Sequence, residues 1–112
     1  MDMLQTAWVA GYLEGEGCFT SNSQNGKKYA RCQAMSIDYD ILRLLQDAAG
    51  GIVNGPYTRP GRQKFWRWGL NGDAAIVLML DIYDYMSKRR QHQILTALMH
   101  YRRQAAAFGS SP

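Results

Sequence analysis

The sequence predicts an α+β domain of order α-ββ-α-ββ-α-α, with a four-stranded antiparallel sheet packed on helices through one face. Three observations carry this. Asn25-Gly26 lies between two short runs, and the pair is a strong hairpin signal because both residues tolerate positive φ. Runs of helical period, most clearly Ile41, Leu42, Leu44, Leu45 and Ala48, separate one strand pair from the next. Within the strands apolar and polar residues alternate, which divides the sheet into a core face and an open one.

The first helix is expected from Thr6 to about Gly15, with Thr6 or Gln5 near its cap. Gly17–Ser23 follows as a strand and Tyr29–Ile37 as its partner. Asp38 stands where it caps a second helix, Tyr39–Ala49, which Gly50-Gly51 stops. A second strand pair, Ile52–Tyr57 and Lys64–Leu70, flanks the polar turn T-R-P-G-R-Q. Asn71 or Asp73 caps a third, mostly apolar helix to about Met86. Ser87 caps a fourth, Lys88 to about Ala106, and A-A-F-G-S-S-P reads as a fraying end. Residues 1–107 thus form one domain and 108–112 a flexible tail.

Strand parity assigns the faces. Phe19 is the core residue of the first strand, leaving Cys18, Thr20 and Asn22 on the opposite side. Ala30, Cys32 and Ala34 alternate with Tyr29, Arg31 and Gln33, and Trp66, Trp68 and Leu70 alternate with Phe65, Arg67 and Gly69. The open face therefore carries residue types that hydrogen-bond base edges and phosphates. Cys18 and Cys32 fall on opposite faces, which argues against a disulfide. Trp66 and Trp68 are expected in the core, Trp8 in the core or at a seam with a second copy, and His92 and His100 on helix surfaces.

Composition narrows the class. Of 112 residues, 46% are hydrophobic and 20% charged, which fits a folded chain and not a disordered one. No apolar run approaches the ~20 residues of a membrane span. M-D-M-L-Q-T lacks a signal peptide's basic start and apolar stretch, so an intracellular protein is expected, in a bacterial or phage cytoplasm or an organelle. Two cysteines and two histidines make a structural zinc improbable. Thirteen basic residues against nine acidic ones give +4, and the placement of the cations matters more than the total. Lys27, Lys28, Arg31, Arg59, Arg62, Lys64 and Arg67 lie in strands and hairpin turns, while Lys88, Arg89 and Arg90 form a second cluster.

The most informative stretch is V-A-G-Y-L-E-G-E-G, Val9–Gly17. Gly11 and Gly15 sit four apart in a helical run, which lets either a second copy or the protein's own sheet come close. Glu14 and Glu16 follow, a carboxylate pair at the helix end. Lys88, Arg89 and Arg90 open the fourth helix, where cations oppose the helix dipole unless an anion is bound. Arg59 and Arg62 are either solvated loop charges or phosphate contacts, a role undemanding about geometry.

These residues resemble the nonapeptide of the LAGLIDADG homing endonucleases of single-motif type. The likeness extends to S-I-D before I-L-R-L-L-Q, to F-W-R-W-G-L ending at Asn71-Gly72, and to Y-M-S-K-R-R-Q. The resemblance implies a homodimer whose motif helices pack together through Trp8, Gly11, Tyr12 and Gly15, with two four-stranded sheets forming a saddle over DNA. It implies that Glu16 binds Mg2+ or another divalent cation such as Mn2+, with the Gly15 carbonyl as a candidate further ligand, and that Lys88 polarises or stabilises the scissile phosphate or activates the water. Glu14 is expected to be structural or solvating rather than a ligand, since its matching position lies off the metal. Glutamate stands where the name-giving motif has aspartate, and Ser36-Ile37-Asp38 lacks the glutamine found near there in relatives. The implied activity is metal-dependent, site-specific cleavage of double-stranded DNA at a long near-palindromic target. Thr20, Asn22, Gln24, Lys27, Lys28, Tyr29, Arg31, Gln33, Asn54, Arg59, Arg62, Lys64 and Arg67 are the expected DNA contacts. The alternatives are a non-cleaving DNA-binding regulator of this family and a maturase that binds intron RNA.

Overall fold

The structure, a computed structural model, describes the backbone of residues 1–109 and the side chains of residues 1–99. The surface position expected of His100 and the end of the expected tail, 110–112, lie outside the described residues. The order is α1 (Met3–Glu16), β1 (Gly17–Gln24), β2 (Lys27–Ser36), α2 (Tyr39–Ala49), β3 (Ile52–Tyr57), β4 (Phe65–Asn71), α3 (Gly72–Ile82), a 3-10 turn (Tyr83–Tyr85) and α4 (Lys88–Gly109). The four strands form one antiparallel sheet in the order β1-β2-β4-β3. This is the α+β order expected from the sequence.

The β1–β2 turn forms as its residues dictate, with φ of 53° at Asn25 and 77° at Gly26. Both strands run further toward that turn than expected, to Gln24 and from Lys27, and β2 ends at Ser36 one residue early. Other boundaries need correction. The first helix begins at Met3, because Asp2 is its cap: the carboxylate accepts from the Gln5 amide at 2.7 Å, and the Gln5 side chain accepts from the Asp2 amide at 2.9 Å. Thr6 is inside the helix. The third helix stops at Ile82 rather than Met86. Its next amide donor would be Ser87, but that N–H is taken by Glu14 at 2.6 Å, so the Tyr83 carbonyl turns to Met86 and to the Gln91 side chain. The fourth helix continues to Gly109, carried beyond the expected end by Ala105, Ala106 and Ala107, good helix formers.

The core lies between the sheet and the helical layer. Phe19, Ala30, Cys32, Ala34, Trp68 and Leu70 are buried from the sheet; Val9, Leu13, Leu42, Leu45, Met79, Ile82 and Ile94 meet them from the helices. The small residues of β2 let α3 and α4 lie directly against that strand. Trp68, fully buried, satisfies its indole by donating to the Gly50 carbonyl at 2.8 Å. Gly51 serves this contact as well as the helix stop, since a Cβ there would meet the Gly69 oxygen at 2.6 Å and the Trp68 indole nitrogen at 2.7 Å. Trp66 is half-buried and packs on Tyr39. Among the described residues no helix is long and apolar enough to cross a membrane.

Cys18 and Cys32 are both free thiols, and register explains why they do not meet: Cys18 faces Gln33 across the ladder, and Cys32 faces Phe19. Burial pushes the Cys32 thiol up to about 12. A thiolate-specific reagent at neutral pH is therefore expected to modify native protein at Cys18 alone, and to reach Cys32 only after denaturation. Mass mapping of the labelled peptides checks this; equal labelling of both residues in folded protein would contradict the burial.

Candidate active site and nucleic-acid face

The nine motif residues divide into separate structural tasks. Val9, Ala10 and Leu13 are buried against the core. Gly17 ends the helix and passes the chain straight into β1; a Cβ there would meet the Leu13 carbonyl oxygen at 2.7 Å. Gly11 and Gly15, in contrast, are exposed, and a Cβ on either would meet nothing within 4 Å among the described residues. Close packing on the protein's own sheet is thus ruled out as their reason. They continue a stripe with Leu4, Ala7 and Trp8 that no part of the described chain covers; Leu4 is 82% exposed. Trp8 belongs to this stripe, not to the core, and stacks on Tyr12 at 5.6 Å.

Glu14 is fully engaged within the chain. Its carboxylate accepts from the Ser87 amide at 2.6 Å and the Ser87 hydroxyl at 2.9 Å, and it pairs with Arg89 and Arg90 at 3.9 Å each. Its carbonyl accepts from the Arg90 side chain at 3.0 Å. Arg90 is buried, with its guanidinium also bonded to Gln93 and set over the Phe19 ring. The cations at the start of α4 therefore meet a carboxylate from their own chain, placed where a helix N-terminus favours negative charge. The basic cluster is divided: two arginines turn to Glu14, and Lys88 stays exposed without a hydrogen bond or ion pair among the described residues.

Glu16 is exposed at the last position of α1 and makes no hydrogen bond or ion pair with the described residues. It stands two residues beyond Glu14, and Lys88 one residue beyond Ser87, so the Glu14–Ser87 bonds hold both charges at the same end of the helical layer. Glu16 also borders an open cleft of about 830 Å³ together with Tyr12, Ser36, Asp38, Arg59 and Arg62. Asp38 occupies the N-cap of α2 but makes no capping bond with its side chain, which corrects the expected role; its own amide donates to the Ser36 hydroxyl instead. Burial first, and then the nearby Glu16 and Asp38 carboxylates, hold the Tyr12 phenol above its ordinary range, against partial relief from Ser36. The Tyr12 phenol therefore keeps its proton beside two acids.

The open sheet face gathers most of the expected contact residues into rungs. Thr20 faces Arg31, Asn22 faces Tyr29, Gln24 faces Lys27, and Arg67 faces Asn54 across the ladder. Lys28, Lys64, Arg59 and Arg62 lie at or beside the two hairpin turns. Arg59 is set over the Phe65 ring at 4.9 Å and Arg67 over the Tyr57 ring at 5.4 Å, so both are steered by aromatic neighbours. Sequence reading missed Met35 and Asn71, which pair with Arg67 and Arg31 on this same face. Strand parity would have found Met35; Asn71 was read only as a helix cap.

No family model matches the sequence, and no curated protein matches it. Solved structures do. The homing endonuclease I-CvuI, determined in complex with its target in the presence of calcium, is 17% identical, with a TM-score of 0.67 over 88% of this chain and 66% of its own. The LAGLIDADG meganuclease I-AabMI, bound to uncleaved DNA, gives 0.67 at 18% identity over 89% of this chain and 37% of its own. The group I intron-encoded homing endonuclease I-CeuI, complexed with DNA, gives 0.66 at 10% identity over 97% of this chain and 59% of its own. The chain thus spans just under two thirds of I-CvuI and has the LAGLIDADG endonuclease fold. Motif resemblance and shared fold coincide.

Glu14 yields a signed pH dependence. The Ser87 amide is the first cause holding its carboxyl below the ordinary 4.5, helped by the Ser87 hydroxyl, Arg90 and Arg89. A depressed folded value gives stability that is present above the unfolded value and lost as pH falls through the folded one. Glu14→Gln is expected to cost about 1 kcal/mol at pH 7, and the gap to wild type should close on acidification below about pH 4.5. Thermal melts at several pH values measure this; a gap independent of pH would contradict it.

Proposed function

We propose that the protein is a homodimeric, divalent-metal-dependent endonuclease that cuts double-stranded DNA at a long near-palindromic site. The observation that carries the reading is the uncovered stripe of α1 ending in an unpaired carboxylate. Glycine inside a helix costs about 0.5–1 kcal/mol relative to alanine, and neither Gly11 nor Gly15 has a reason among the described residues of its own chain. A second copy of α1 supplies that reason, because bare glycines let two helix backbones approach while Leu4, Ala7 and Trp8 lose their contact with water. Symmetry then brings two Glu16 carboxylates to one seam.

The donor set fits a divalent cation. Among the described residues no group of three or more His, Cys, Asp or Glu side chains stands together, and Glu16 stands alone at the end of its helix. Two chains offer two Glu16 carboxylates and two Gly15 carbonyls, the latter in the final helical turn where the usual amide partner is missing. All are hard oxygens, suited to magnesium or manganese. A bound divalent cation stabilises the charge that develops on a phosphodiester during hydrolysis. Lys88 places a further positive charge at the same end of the helical layer. The open sheet face holds the duplex, with turn cations on its phosphates and strand side chains on its bases. I-CvuI has been determined with calcium and with magnesium, and the fold neighbours above were determined on DNA.

Incubating the purified protein with a randomised duplex library and magnesium should enrich cleaved, near-palindromic sites. Glu16→Gln should lower cleavage by at least about 100-fold while binding persists. Gly11→Leu should leave a folded monomer by sedimentation that no longer cuts. Binding without cleavage by wild type would favour a DNA-binding regulator, and a monomeric wild type that still cuts both strands would sink the shared-site reading.

A further inference from the structure

We propose that Arg31 is a pre-set reader of a guanine edge in each half-site, positioned by Gln33, Gly69 and Asn71; this rests on the DNA-binding reading above. Arg31 lies on β2, an interior strand of the β1-β2-β4-β3 sheet, with Thr20 beside it on β1 and Asn71 on β4. Its guanidinium is held from three directions. Nε donates to Gln33 Oε1 at 3.1 Å, and Nη1 donates to Asn71 Oδ1 at 2.7 Å. Nη2 rests over Gly69, where a Cβ would lie 2.9 Å away. Any larger residue at Gly69 would displace the head group.

Both partners are neutral carbonyl oxygens, so the positive charge is oriented but not cancelled. Two of the five N–H donors are used; the remainder, on Nη1 and Nη2, form the fork that matches guanine O6 and N7 in the major groove. Asn71 gives independent support. It occupies the N-cap of α3, where asparagine ordinarily accepts from a helix amide, yet it makes no capping bond with its side chain. Its oxygen is turned to Arg31 instead.

A bland phosphate contact would not need this arrangement. Phosphates are served by long, adaptable cations at the margins, and Lys28, Arg59 and Arg62 stand at the turns. Arg67 makes an instructive contrast on the other interior strand. Its neighbours are the Tyr57 ring and the Met35 sulfur at 3.8 Å, soft contacts that let the head group swing. A side chain already ordered gives up less rotamer freedom on binding, and it discriminates more sharply.

The test compares site preferences from the randomised library for wild type, Arg31→Lys, Arg31→Ala, Gly69→Ala and Asn71→Ala, with thermal melts as a fold control. Wild type should prefer G·C about tenfold or more at one position of each half-site. Arg31→Lys keeps the charge but loses the fork, and should abolish that preference while leaving the other positions unchanged. Gly69→Ala and Asn71→Ala should weaken the same position, with little change in melting temperature. A profile unchanged in Arg31→Ala would overturn the assignment and leave the DNA-binding reading intact. So would a uniform loss of affinity on all sequences in Arg31→Ala, the mark of a phosphate contact. No enrichment of any sequence by wild type would remove both.

Discussion

The Glu14 carboxylate fixes three chain segments at once. It takes the Ser87 amide and hydroxyl, it pairs with Arg89 and Arg90, and its own backbone carbonyl receives the buried Arg90 guanidinium. Because Ser87 is claimed, the Tyr83 carbonyl cannot continue the α-helical ladder, and α3 closes in a 3-10 turn. Because a carboxylate stands before α4, that helix can open on three consecutive cations. The end of α1, the end of α3 and the start of α4 are therefore set by one side chain. Glu16 and Lys88 inherit their positions from it.

The second constraint is that α1 is apolar on both of its long sides. Val9, Ala10 and Leu13 face the core, while Leu4, Ala7 and Trp8 face away from it. A helix greasy all round is stable in water only where both sides are covered. Gly11 and Gly15 sharpen the point, since they lower helix propensity without admitting any neighbour among the described residues. Eight of the nine motif residues divide the work: Val9, Ala10 and Leu13 hold the helix to its own domain, Gly11 and Gly15 stay bare, Glu14 brackets α4, Glu16 ends the helix in an acid and Gly17 turns the chain into the sheet.

The fold was legible because its signals are local. A positive-φ pair announced the first hairpin, helical spacing announced α2, and alternation separated the sheet faces before any strand was paired. What escaped was non-local. The early stop of α3 follows from an acid 73 residues from Ser87 in sequence, and no window around Tyr83 contains it. The start of α1 escaped for a different reason: Asp2 and Gln5 form a reciprocal cap three residues apart, ahead of the apolar run that drew attention to Thr6. In the site, the structural part of Glu14 was expected, but its partners were not. Lys88, Arg89 and Arg90 look equivalent in sequence, and only packing shows that Arg90 is buried.

Asp38 and Asn71 share an irregularity that ties the fold to its use. Asn71 ends β4 and Asp38 follows the end of β2 by two residues; each occupies the N-cap of the following helix, and neither caps with its side chain. A side-chain cap is worth about 0.5–2 kcal/mol, so two helices of eleven residues each forgo a common source of stability. The side chains are not idle. Asp38 borders the cleft with Glu16, and Asn71 holds Arg31 on the open sheet face. Elsewhere the chain follows local rules closely, as the Asp2 cap and the Asn25-Gly26 turn attest. Departures from local preference that cluster where polar groups converge mark where sequence has been selected for something other than folding. Here one stands beside Glu16 and the other beside Arg31, two residues on which the proposed function depends.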